Sequence, residues 1–153
     1  MPNKLTALAI VVVVAAVAVT AALATPGTVI ATLLARGTFT EPIAASADGI
    51  TLRAGHATDH AVQMTILPPG ATSGWHRHPG VTLITVKSGT VARYDSNCVR
   101  ETFSAGQSFL NVGPEAVLVR NETAHHAVLY ASFIVPAGAP LRIDMPNPGC
   151  SVE

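Results

Sequence analysis

Residues 70–89 read Gly70-Ala-Thr-Ser-Gly-Trp-His76-Arg77-His78-Pro-Gly-Val-Thr82-Leu-Ile-Thr-Val-Lys-Ser-Gly89, and this stretch decides the fold. Two histidines one residue apart on an extended strand point their rings to the same face, because side chains alternate across a strand. Two imidazoles converging from one strand make half of a metal site, since divalent ions are commonly held by three or four such groups. Pro68-Pro69-Gly70, Pro79-Gly80 and Ser88-Gly89 punctuate the stretch with turn chemistry, so the histidine strand is short and bounded.

A second stretch repeats this framing. From Gly106 the chain runs Gln-Ser-Phe-Leu-Asn-Val112-Gly-Pro114-Glu-Ala-Val117-Leu-Val-Arg-Asn121. Together the two stretches resemble the paired motifs of the cupin superfamily, G-x5-H-x-H-x3/4-E-x6-G and G-x5-P-x-G-x2-H-x3-N, and the tail Arg142-Ile-Asp-Met-Pro-Asn-Pro-Gly-Cys150, with Cys98, is similar to that of its small exported single-domain members. The resemblance covers residues 50–137 and implies an all-β domain, a double-stranded β-helix or jelly-roll barrel with a pocket inside. It implies that His76 and His78 stand where such barrels hold a divalent ion (Fe, Mn, Ni, Cu or Zn). At the other two ligand positions the chain departs from the motif, with Thr82 for the glutamate and Val117 for the last histidine. A threonine hydroxyl is a poor neutral ligand and a valine is none, so two imidazoles offer an ion too few bonds to replace its water shell.

Composition agrees with an all-β domain and removes several function classes. The 153 residues include 12 glycines and 11 prolines, 49% are hydrophobic and only 12% are charged. Strand-like runs recur between turn formers at intervals of about 8–12 residues, the spacing of sandwiches and barrels. The predicted strands are 50–54, 61–67, 74–76, 82–87, 90–95, 100–102, 108–112, 116–120 and 127–135, with 29–34 able to add an edge strand. Residues 25–46 read as an extended arm and 47–153 as the barrel domain. Formal charge is zero and no Lys/Arg cluster exists, so nucleic-acid binding has no electrostatic basis. Neither a nucleophile elbow nor a phosphate-binding glycine loop is present.

Residues 1–24 form the most apolar segment. Lys4 is its one charge, none follows before Arg36, and Leu5 to Ala24 is interrupted only by Thr6 and Thr20. Ala22-Leu23-Ala24 before Thr25-Pro26 offers a small-x-small cleavage site, which makes the segment an export signal. As a helix the same residues would rise about 30 Å, the span of a bilayer, so a retained membrane anchor is the alternative. No cysteine follows for lipidation and no twin arginine is present. Either way the domain is secreted or resides in the extracytoplasmic cell envelope.

Cys98 and Cys150 suit that compartment. Both lie among turn formers, and a bridge between them would tie the C-terminal tail to a mid-domain loop; two free thiols are the alternative. Of the remaining histidines, His56 sits beside Gly55 in a loop, and at most one of His125 and His126 points inward. Val62-Gln63-Met64-Thr65-Ile66 alternates as a strand with one buried face. His60 shares the Val62 side and Gln63 faces the other way, so one of those two enters the pocket. Val81–Val86 is apolar enough for a strand covered on both sides. Trp75 faces away from His76, one of Arg93 and Tyr94 points in, and Gly89 and Asn121 serve turn geometry.

Two functions therefore stand open: an exported barrel that binds a small molecule beside His76 and His78, or a metal-dependent, oxygenase-like enzyme that completes the pair with an unconventional third ligand. A third is an envelope-anchored module that binds a protein partner, with residues 5–24 in the membrane; a homodimer is compatible with each.

Overall fold

A computed structural model describes residues 27–153. The export or anchor segment, residues 1–24, lies outside the described residues. Twelve strands account for the regular structure: β1 Ile30–Phe39, β2 Ile43–Ala47, β3 Ile50–Ala54, β4 Thr58–Leu67, β5 His76–Arg77, β6 Val81–Ser88, β7 Thr90–Tyr94, β8 Arg100–Ser104, β9 Ser108–Asn111, β10 Leu118–Arg120, β11 Ala127–Pro136 and β12 Ile143–Asp144. Among the described residues no helix is long and apolar enough to cross a membrane.

One antiparallel sheet carries the barrel, in the order β1-β4-β11-β6-β9, and a second, β10-β7-β8, faces it. In β11 burial alternates strictly, with Ala127, Leu129, Ala131, Phe133 and Val135 inward. These meet Val91 of β7 and Val119 of β10 in one apolar cluster. Non-consecutive neighbours such as β4-β11-β6 bring strands more than 40 residues apart into register, as a jelly roll requires. The edge strand expected over residues 29–34 is present and longer, and its ten residues pair along β4 with a bulge at Leu34.

One strand settles a choice that its sequence left open, and another differs from its sequence reading. In β4 the inward face is Ala61, Gln63, Thr65 and Leu67, opposite the inward β11 residues Phe133, Ala131, Leu129 and Ala127. The more apolar side, Val62, Met64 and Ile66, faces out. Register fixes the face: parity in a ladder is all-or-none, and Leu67 and Ala61 are committed to the core. β6 is covered on one side only, for Val81 and Leu83 remain 40% and 43% exposed while Thr82, Ile84 and Val86 are buried. Along β4, Gln63 and Thr65 inward with Val62, Met64 and Ile66 outward is the pattern of a wall around a cavity rather than of a packed core.

Turn residues set the ends. Asp48 and Gly49, at φ 50° and 81°, make the two-residue connection of the β2–β3 hairpin, where both central residues need positive φ. Gly89 has φ 77°, and a Cβ there would lie 2.6 Å from the His126 carbonyl oxygen. Asn121 is fully buried; its Nδ2 donates to the carbonyls of Leu67 and His125, and its Oδ1 accepts from the Thr123 amide and hydroxyl.

Asp59 ties β1, β4 and the end of β11 together. Its buried carboxylate accepts from Arg36 Nε at 2.9 Å and Nη2 at 2.5 Å, from Thr38 Oγ1 at 2.6 Å and from the Gly138 amide at 2.9 Å. The Thr38 hydroxyl above all, then Gly138 and Arg36, hold its pKa down at about 2. A carboxyl depressed in the folded state stabilises above its unfolded pKa of 3.8, and that contribution is lost as pH falls toward 2. The Asp59→Asn variant should be less stable than the parent at pH 7 and lose less on going from pH 4 to pH 2; equal losses in urea titrations at the two pH values would remove this role.

Candidate functional site

Between the two sheets lies a cavity of about 340 Å³. Its apolar wall includes Leu67, Ile84, Phe109, Leu129, Phe133 and Leu141, and its polar residues are Gln63, Thr65, Ser73, His76, His78, Thr82, Asn111 and Arg142. No aspartate, glutamate or cysteine lines it.

His76 and His78 reach this cavity together. Their ring centroids stand 4.9 Å apart at 82°, and both residues are at least nine-tenths buried. His76 forms an isolated bridge with Val117, so the residue at the second motif's histidine position does lie opposite the pair, as an apolar side chain. Each imidazole is oriented through Nδ1, which donates to a backbone carbonyl: Gly74 at 2.9 Å for His76 and Leu141 at 2.6 Å for His78. A carbonyl only accepts, so Nδ1 carries the hydrogen in both rings and Nε2 is left with its lone pair. Neither Nε2 has a hydrogen-bond partner among the described residues. Burial pushes the His76 pKa down to about 4, the Gly74 carbonyl opposes that, and Arg142 and His78 push it further down. His78 is lowered for the same first reason, burial, with Arg142 adding to it against the Leu141 carbonyl. Both rings are therefore neutral at pH 7.

Thr82 occupies the glutamate position and is fully buried, and its Oγ1 is the buried side-chain polar atom without a partner among the described residues. It stands directly across from Asn111 on β9 and Phe133 on β11. The Phe133 ring in turn meets the edge of His78 at 5.3 Å. Thr82, Asn111, Phe133 and the histidine pair thus form one continuous patch. Arg93 Nε donates to Asn111 Oδ1 at 2.9 Å, which turns the Asn111 amide nitrogen away from that contact.

This donor set does not fit a resident divalent ion. Two imidazoles and the Thr82 hydroxyl line the cavity with no carboxylate among the lining, and the nearby Asp144 is engaged by the Arg142 guanidinium. Among the described residues no group of three His, Cys, Asp or Glu could hold a metal.

The remaining sequence candidates separate cleanly. Gln63 enters the cavity and bonds Thr65, whereas His60 is on the outer face against Ser132 Oγ at 2.8 Å. His56, His125 and His126 are exposed. Arg93 turns inward and Tyr94 outward, its hydroxyl on Glu122. Trp75 does face away from the cavity, but it is buried with Ala116, Leu118 and Cys150 in a second cluster. Cys98 and Cys150 are bridged. Sequence reading missed Leu141 and Arg142, which arrive because β12 pairs with β5, Ile143 opposite Arg77 and Asp144 opposite His76. Arg142 Nε donates to Asp144 at 2.7 Å.

No family model and no curated protein matches the chain. Solved structures do. A cupin domain from Bordetella pertussis superposes over 72% of this chain and 96% of its own, with 18% identity and a TM-score of 0.51. The chain has the cupin fold. Peruvianin-I, a cysteine peptidase from Thevetia peruviana latex, matches at 15% identity and TM-score 0.50 over 57% of this chain and 56% of its own. The DMSP lyase DddQ from Ruegeria pomeroyi matches at 11% identity and TM-score 0.51 over 59% of this chain and 45% of its own. The chain thus spans only about half the length of those two proteins. Neighbours described as a peptidase, a lyase and a cupin domain share one barrel, so in this chain the chemistry must be read from the side chains in the cavity.

Proposed function

We propose that this chain is an exported cupin barrel that binds a small organic molecule in its interior, with His76 and His78 acting as hydrogen-bonding wall groups. The observation that carries this reading is the cavity's polar patch, where two neutral imidazoles and the unpartnered Thr82 hydroxyl meet in a lining that holds no carboxylate. Polar groups buried without partners are costly, and a ligand that satisfies them recovers that cost. The disulfide accords with an oxidising compartment, as does the apolar segment that precedes the barrel.

Elemental analysis tests it. The full chain, produced without a histidine tag in an exporting host, should carry far less than one metal ion per chain, and a His76→Ala/His78→Ala variant should carry no less. One ion per parent chain, lost in the variant, would transfer the site to a metal-dependent, oxygenase-like enzyme. The intact mass of the same preparation reads whether the chain is cut after Ala24 or retains residues 5–24 as an anchor.

A further inference from the structure

The polar patch also restricts what the ligand must be. Because both Nδ1 atoms donate to carbonyls, the cavity receives two lone pairs from the histidines and no hydrogen. Thr82 Oγ1 has neither donor nor acceptor and can serve as either. An anionic head would place its charge against the two lone pairs, and the Arg142 guanidinium that could meet it is already paired with Asp144. A cationic head would find no carboxylate on the cavity wall to receive it. A wholly apolar ligand would leave all three groups unsatisfied. The group that matches is a neutral hydroxyl, whose hydrogen goes to an Nε2 and whose oxygen accepts from Thr82. Beyond this patch the cavity is mostly apolar, with Phe109 and Phe133 among its wall. Its 340 Å³ would hold about ten waters, hence a molecule of a comparable number of heavy atoms.

We infer that the ligand of this barrel is a small neutral alcohol or phenol, apolar through most of its body, whose hydroxyl is read by His76, His78 and Thr82. This rests on the small-molecule reading above.

Three matched probes separate the two claims: 4-methylphenol, toluene and 4-methylbenzoate, titrated at pH 7 into the full chain from an exporting host. The phenol is neutral at that pH and the benzoate ionised. Calorimetry should show 4-methylphenol binding one per chain, at least about tenfold tighter than either other probe. In the Thr82→Val variant 4-methylphenol should weaken about tenfold while toluene is unchanged or tighter. The imidazole 15N resonances of His76 or His78 should shift with the phenol and not with toluene. Toluene binding as well as the phenol, or 4-methylbenzoate binding better, would overturn the hydroxyl assignment and leave the pocket reading intact. Failure of all three to bind at millimolar concentration would overturn both.

Discussion

Replacing Cys98 and Cys150 together by alanine should lower the unfolding free energy by about 4 kcal/mol, the value chain entropy gives for closing a loop of roughly 50 residues. The bridge spans 52 residues of sequence and links the loop after β7 to the C-terminal tail. For a domain of this size that is a fall in Tm on the order of 10–15 °C. The tail is otherwise held by a two-residue ladder, by the Met145 amide on the Trp75 carbonyl at 3.0 Å and by Trp75 Nε1 on the Val152 carbonyl at 3.2 Å. It delivers Leu141, whose carbonyl fixes the His78 tautomer, and Arg142. Loosening the tail therefore loosens the site, and ligand affinity should fall even at temperatures where the barrel remains folded. Urea titration of parent and double variant checks the first effect. A difference under about 1 kcal/mol would show that the denatured chain is already constrained in some other way.

Acid should destabilise the barrel through His76 well before it reaches Asp59. A histidine whose folded pKa is lowered from 6.5 to about 4 takes up its proton in the unfolded chain first. Stability is then full above the unfolded pKa and falls as pH drops from about 6.5 to about 4, because the unfolded state binds more protons throughout that window. At 1.36 kcal/mol for each unit between the two values, His76 alone accounts for about 3 kcal/mol. His78, lowered by the same burial, steepens the slope. Unfolding free energies at pH 7 and pH 4.5 should differ accordingly, and His76→Gln should flatten the dependence. A parent whose stability is level across that interval would mean that the His76 ring gains a partner for its imidazolium form on protonation. The Asp59 window lies lower, so the two losses can be told apart.

Much of the fold was legible in one dimension. Turn formers at 68–70, 79–80, 88–89 and 121–122 separate the strands because only a few residue types tolerate those backbone conformations. The His-x-His spacing puts both rings on one face through the period of a strand alone. Hydrophobicity left the inward face of β4 open and overstated the cover on β6. Along β4 the apolar residues Val62, Met64 and Ile66 face outward, while Gln63 and Thr65 face the cavity. A strand that borders a hollow reverses the usual rule, since polar residues there await a ligand rather than solvent. Asn111 and Arg142 carried no sequence signal, for neither belongs to a local pattern and both gain their meaning from a partner far along the chain.

By itself, then, the sequence determined an all-β chain of short strands, the placement of the histidine pair and the departures at Thr82 and Val117, because these depend on backbone geometry over a few residues. Only the tertiary structure decided which nitrogen of each imidazole faces the cavity, that Thr82 Oγ1 stands there without a partner, and that the tail closes over the site. Those properties arise between groups far apart in the chain, His78 and Leu141 being separated by 63 residues, and are set by ladder register and burial rather than by local spacing.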